Sequence, residues 1–125
     1  MPKVLIADDQ ESMRSLIRVT LDSGHFEILE APDGAAAARI ARDEQPDLVF
    51  LDWTMPALSG IEVCQKLRDD PRTATTKIVM VTGRADVDEQ AAGFAAGADD
   101  YITKPFSPLE LLDKVSEVLG PEAFI

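Results

Sequence analysis

Leu48-Val49-Phe50-Leu51-Asp52 is the stretch that decides the fold. Four apolar residues in a row leave no side for water, so they read as a strand covered on both faces, with an acid placed at its carboxyl end. Runs of the same kind recur on either side. Strands are predicted at Lys3 to Ala7, Glu27 to Ala31, Leu48 to Leu51, Ile78 to Thr82 and Tyr101 to Thr103, each followed by a stretch of helical period. That alternation is the pattern of a parallel sheet with helices on both faces, an α/β fold. The first, third and fourth runs are the most apolar and should be central. The second and fifth are shorter and more mixed, which suits sheet edges.

The first helix is predicted over Glu11 to Ser23, with Met13, Leu16, Ile17, Thr20 and Leu21 on its buried face and Gly24 as its stop. Pro32-Asp33-Gly34 reads as a turn, and Asp33 as the cap of an alanine-rich helix lasting to Gln45-Pro46. A third helix spans Gly60 to Asp69 and stops before Asp70-Pro71. The last opens on Ser107-Pro108-Leu109-Glu110, where Ser107 suits the N-cap, Pro108 the first helical position, and Glu110 completes a capping box. The fourth, about Asp86 to Ala96, has Gly93 inside it and mostly alanines around it. It has few large side chains with which to anchor itself, so it should be the most movable.

Length and composition exclude several classes. The chain has 125 residues, enough for one domain with a two-sided core. Residues 1–120 are expected to form that domain, and residues 121–125, from Pro121 after Gly120, a C-terminal tail or the start of a linker. No apolar run is long enough to cross a bilayer, and the first residues meet charge at Asp8 and Asp9 too soon for a signal peptide. The lone Cys64 cannot form an internal disulfide, so a cytoplasmic location is expected. Twelve basic residues against 23 acidic ones give a formal charge of -11, which repels nucleic-acid backbones and anionic lipid surfaces. With no Lys/Arg cluster present, direct contact of this domain with nucleic acid or membrane is not expected.

Polar residues collect where the strands end: Asp8 and Asp9 after the first, Asp52 after the third, Thr82 at the fourth, and Lys104 after the fifth. In a parallel sheet these ends share one edge, the edge at which open α/β sheets bind ligands. Converging carboxylates repel one another unless a cation joins them. Mg2+ suits such a set, because it takes hard oxygen ligands and commonly combines one or two carboxylates with a phosphate oxygen. Three aspartates without a neighbouring Cys or His argue against a dedicated zinc site. A cation beside a carboxylate also suits attack on phosphorus, with Lys104 and the Thr82 hydroxyl available for the other phosphoryl oxygens. Asp52, at the centre of the edge, is the candidate nucleophile.

Taken singly these residues have plainer readings. Asp8-Asp9 reads equally well as a solvated turn or a helix cap, Thr82 as a β-branched strand residue, Lys104 as a surface lysine, and Tyr101 as edge-strand packing. Their coincidence at one edge is what favours chemistry. His25, at a turn without an acid partner, reads as a surface residue, and Cys64 as a small buried hydrophobe.

Ala7-Asp8-Asp9, Leu51-Asp52-Trp53-Thr54-Met55-Pro56, Val81-Thr82-Gly83 and Thr103-Lys104-Pro105-Phe106 together resemble the signature of response-regulator receiver domains, over nearly the whole chain. The resemblance implies a single doubly wound (βα)5 flavodoxin-like three-layer sandwich with a five-stranded parallel sheet in the order 2-1-3-4-5. It implies a phosphoacceptor of two-component signalling, which takes a phosphoryl group from a histidine kinase or phosphotransfer protein onto Asp52. Mg2+, or Mn2+ in its place, would be held by Asp8, Asp9, Asp52 and the Thr54 carbonyl, with Asp9 direct and Asp8 largely through water. Thr82 and Lys104 would contact the phosphoryl oxygens, Tyr101 would turn inward as Thr82 moves, and the Lys104-Pro105 bond would be cis. Thr54 and Arg84 would flank the water that hydrolyses the acyl phosphate. The face of the fourth helix, fifth strand and fifth helix would switch to control a partner or output domain, as a monomer or a phosphorylation-dependent dimer.

Two other classes compete with this signalling role. A Mg2+-dependent phosphohydrolase of small molecules would use the same nucleophile, but it needs a substrate pocket and a second aspartate two residues on, where Thr54 stands. A binding module that kept the fold without the switch would not need every one of these groups.

Overall fold

The structure, a computed structural model, describes residues 1–83 and 87–124. Five strands form one parallel sheet in the order β2-β1-β3-β4-β5, as expected: β1 (Lys3–Ala7), β2 (Glu27–Ala31), β3 (Leu48–Asp52), β4 (Lys77–Thr82) and β5 (Asp100–Thr103). The helices between them are α1 (Glu11–Leu21), α2 (Gly34–Glu44), α3 (Gly60–Asp69), α4 (Val87–Ala96) and α5 (Pro108–Leu119), followed by a 3-10 turn at Pro121–Phe124. The predicted start of the fourth helix at Asp86 lies outside the described residues.

All five residues of β3 are buried, which is what its unbroken apolar run requires. Alternate residues serve opposite faces. Val49 and Leu51 pack with Leu5, Ile78 and Met80 against Ala37 and Ala41 of α2 and Val63, Cys64 and Leu67 of α3. Leu48 and Phe50 pack with Val4, Ile6, Val79 and Val81 against Ile17 and Leu21 of α1 and Leu111 and Val115 of α5. Each large side chain so buried contributes about 1.5–3 kcal/mol. The turn at 121–124 joins the second cluster, where Phe124 meets Phe26 edge-on at 5.4 Å.

Helix ends depart from expectation in three places. Helix α1 stops at Leu21 rather than Ser23, and Leu16, expected on its buried face, is 43% exposed. On α1 itself only Ile17 and Leu21 are buried, with Met13 partly so; Phe26, Leu111 and Val115 fill the rest of that face, so α1 needs a narrower stripe than the sequence offers. At α5, Ser107 accepts from the Glu110 N–H at 3.1 Å, but the return bond from the Ser107 N–H to the Glu110 carboxylate is absent among the described residues. The complete capping box is at α3, where Ser59 and Glu62 satisfy each other's backbone donors.

Helix α4 is the least anchored: among its described side-chain positions only Gly93 is buried. Its far end is pinned, since Arg68 donates to the Gly97 carbonyl at 2.8 Å and pairs with Asp99 at 2.8 Å. Two glycines in this region are expected to respond in opposite ways. A Cβ on Gly60 would lie 2.5 Å from the Asp52 carbonyl oxygen, backbone that cannot turn away, whereas one on Gly93 would make ordinary contact with the Trp53 ring at 3.4 Å. Urea denaturation should therefore show Gly60→Ala destabilised by about 2–3 kcal/mol through overpacking. Gly93→Ala should be stabilised by about 1 kcal/mol through helix propensity. A stabilised Gly60→Ala would contradict this packing.

Candidate functional site

Strand register brings the polar residues together. Ala7 pairs with Leu51, Asp52 with Val81, and Thr82 with Thr103, so the residues at and just past these positions end at one level. Asp52 is the last residue of β3 and is 8% exposed. Asp8, one residue beyond β1, is 2% exposed, while Asp9 beside it is exposed. One carboxylate oxygen from each of the three lies within 4.8 Å of the others.

Each group is held by backbone that its own strand or turn provides. The Asp8 carboxylate accepts from the Gln10 N–H at 2.9 Å, and its carbonyl accepts from Arg14 at 2.8 Å. The chain leaving Asp52 is tied on both sides, because the Trp53 N–H donates to Val81 at 2.9 Å and its carbonyl accepts from Gly60 at 3.0 Å. The Lys104 N–H donates to the Thr82 carbonyl at 2.7 Å, which aims the side chain back across the edge. Its ammonium lies 3.2 Å from Asp8 and 3.4 Å from Asp52. The Lys104-Pro105 peptide bond is cis.

The carboxylates outnumber the cation that meets them. Among the described residues Lys104 is the only cation bonded to this set. Burial pushes the Asp52 carboxyl above its ordinary value of 3.8, and the neighbouring Asp8 charge adds to the rise. Lys104 opposes these effects without cancelling them. Such a set favours a divalent cation, and its all-oxygen donors fit a hard ion.

The structure places Thr82 and Tyr101 on the other side of the same edge. Thr82 is 3% exposed, and its hydroxyl donates to the carboxylate of Glu89 in the first turn of α4. Tyr101, on β5, is half-buried with its ring edge-on to Phe94 at 6.1 Å. Thr54 is exposed and lines a cleft of about 410 Å³ with Asp52, Trp53, Thr82, Gly83 and Glu89. Arg84 lies outside the described residues. Cys64 is buried, as expected, and His25 meets Ser23 at 2.9 Å, away from the site.

Two participants were not singled out from sequence. Glu89 reads as one of two acids suited to a helix N-terminus, and only the turn of α4 over β4 aims it at Thr82. Gly60 reads as an ordinary helix start; its signal is the close approach to Asp52, which needs coordinates to see.

Comparison with known proteins agrees with this geometry. The family described as the response regulator receiver domain matches residues 4–116. The phosphate regulon transcriptional regulatory protein PhoB of Pseudomonas aeruginosa is 42% identical over 116 residues, covering 93% of this chain and 51% of that protein. The DNA-binding dual master transcriptional regulator RpaA of Synechocystis is 39% identical, covering 95% of this chain and 49% of that protein. The chain thus spans about half the length of these relatives. The chemotaxis response regulator CheY4 of Vibrio cholerae superposes with a TM-score of 0.90 at 32% identity, over 94% of this chain and 98% of that one. No helix of the described residues is long and apolar enough to cross a membrane. On its strand order, its acidic edge and these matches, the chain belongs to the response regulator receiver domains of two-component signalling.

Proposed function

We propose that Asp52 is the phosphoacceptor, taking a phosphoryl group from a phosphohistidine of a sensor kinase or phosphotransfer protein. The observation that carries this reading is the triad of Asp8, Asp52 and Lys104, in which a buried carboxylate is held 3.4 Å from an ammonium beside a second acid. The Asp52 carboxylate attacks phosphorus, a P–O bond forms as the P–N bond breaks, and the imidazole leaves with the bonding pair. Mg2+ bound by Asp8, Asp9, Asp52 and the Thr54 carbonyl would supply the positive charge that the phosphoryl oxygens and crowded carboxylates require. Lys104 is within reach to turn from Asp8 and Asp52 toward a phosphoryl oxygen, and the Thr82 hydroxyl donates to another. Once Thr82 is drawn in, Tyr101 follows, and the face of α4, β5 and α5 changes shape to act on a partner or output domain. The domain works as a cytoplasmic signalling acceptor, with residues 1–120 as its unit and the turn at Pro121–Phe124, expected to be tail or linker, packed onto its core. Nucleic-acid binding by a full-length protein would belong to a different segment, given the charge of -11 here.

The small-molecule phosphohydrolase is disfavoured by Thr54, which offers no acid or base two residues after the nucleophile. Incubation with acetyl phosphate and Mg2+ is expected to add one phosphoryl mass to the wild type and none to Asp52→Ala, with chelator abolishing the gain. No adduct on wild type, or an equal adduct on Asp52→Ala, would overturn the assignment.

The charge crowding has a consequence for stability. A carboxyl whose folded pKa is raised favours folding while protonated, and that contribution is lost as pH climbs through the raised value. At neutral pH without divalent cation, Asp52 is therefore a liability. Asp52→Asn is expected to raise the melting midpoint by roughly 2–4 °C at pH 7 in chelator. The gap should narrow near pH 4 and when millimolar Mg2+ stabilises the wild type by binding it. A lower midpoint for Asp52→Asn in chelator at pH 7 would contradict the electrostatic account.

A further inference from the structure

Thr82 has one hydroxyl proton to give, and in this structure it gives it to Glu89. Acceptance of a phosphoryl group at Asp52, the reading on which this inference rests, asks the same hydroxyl to turn toward a phosphoryl oxygen. Both demands cannot be met at once. Glu89 lines the cleft over the acceptor with Asp52, Trp53 and Thr54, and it also lines the crevice that Met80, Gly93, Phe94 and Tyr101 form beneath α4. Trp53, Thr82 and Glu89 are common to both spaces. We propose that Glu89 is a positioning residue, a latch that holds Thr82 and the near end of α4 in the unphosphorylated arrangement by competing with the phosphoryl group for one donor.

Three features make this contact matter more than a surface hydrogen bond. Thr82 is 3% exposed, so water does not readily reach its hydroxyl in place of Glu89. A carboxylate acceptor gives a charge-assisted bond, and the same negative charge repels an arriving phosphoryl group. Packing adds little to it: Gly93 is the one buried position of α4 among those described, and the Arg68 bond to Gly97 ties only the far end. Release of Glu89 therefore gives up its bond to Thr82, opens the crevice beside the Tyr101 ring and removes one tie on the near end of α4 in one event.

The test uses beryllofluoride with Mg2+ as the phosphoryl mimic, its affinity read from Trp53 fluorescence, together with backbone amide exchange of α4 in its absence. Asp88→Ala is the control, because Asp88 is exposed in the same helical turn and its removal costs the same helix-end charge. Glu89→Ala is expected to bind beryllofluoride about tenfold more tightly than wild type, the scale of one charge-assisted hydrogen bond. Asp88→Ala should stay within about twofold, and Glu89→Gln, which keeps an acceptor but not the charge, should fall between. In a Thr82→Val background Glu89→Ala should gain no more than Glu89→Gln gains in wild type, since only charge repulsion is left to relieve once the competed donor is gone. A wild type that binds beryllofluoride while Glu89→Ala binds it no tighter, or gains equally with Val at position 82, overturns the latch and leaves the acceptor reading standing. A wild type that binds none, with α4 exchange faster in Glu89→Ala than in Asp88→Ala, overturns the acceptor reading and leaves Glu89 holding α4 to Thr82.

Discussion

Lys104 bridges Asp8 and Asp52, and the negative charge that this one ammonium leaves uncompensated among the described residues is what the surrounding structure has to support. Bringing carboxylates together at 2% and 8% exposure costs free energy, which only a rigid and well-packed frame can sustain. The frame is the sheet. Its three central strands carry apolar residues on both faces, and their ends are fixed by backbone bonds from Gly60 to Trp53 and from Lys104 to Thr82. Crowded acids on a floppy loop would drift apart and hydrate; here they cannot.

Strand periodicity then divides the labour between two sides of the edge. Asp52 continues the row of Leu48 and Phe50, whose face meets α1 and α5, while Thr82 continues the row of Ile78 and Met80, whose face meets α3 and lies beside Tyr101. Asp52 and the Thr82 hydroxyl therefore belong to different layers of the molecule. A group bound between them touches both, and the layer on Thr82's side carries α4, the helix with the fewest buried positions among the described residues. On the proposed reading this arrangement would couple the chemistry to the surface, with the packed strands holding the acids and α4 yielding.

Most of this was legible in the residues because it follows from short-range rules. The unbroken run at Leu48 to Leu51 named a central strand, the mixed runs at Glu27 and Tyr101 named the edges, and parallel pairing then forced Asp8, Asp52, Thr82 and Lys104 to one edge. The order of the strands came from family resemblance, since periodicity gives no order. What escaped were contacts set by how one element lies on another. Leu16 has the helical spacing of a core residue, but the stripe that α1 buries is too narrow to include it. Ser107 and Glu110 have the spacing of a capping box, yet the reciprocal bond formed at Ser59 and Glu62 instead. Glu89 looks like any acid in a first turn until α4 is laid across β4.

The central claim is that Asp8, Asp9 and Asp52 form one site for a divalent cation whose charge relieves their crowding. The most direct measurement is a Mg2+ titration at neutral pH, followed by Trp53 fluorescence and by calorimetry, on wild type and on Asp9→Asn and Asp52→Asn. The account predicts a single saturable site in wild type, weakened by about tenfold or more when either carboxylate is removed. A titration that does not saturate, or one that both substitutions leave unchanged, would contradict it.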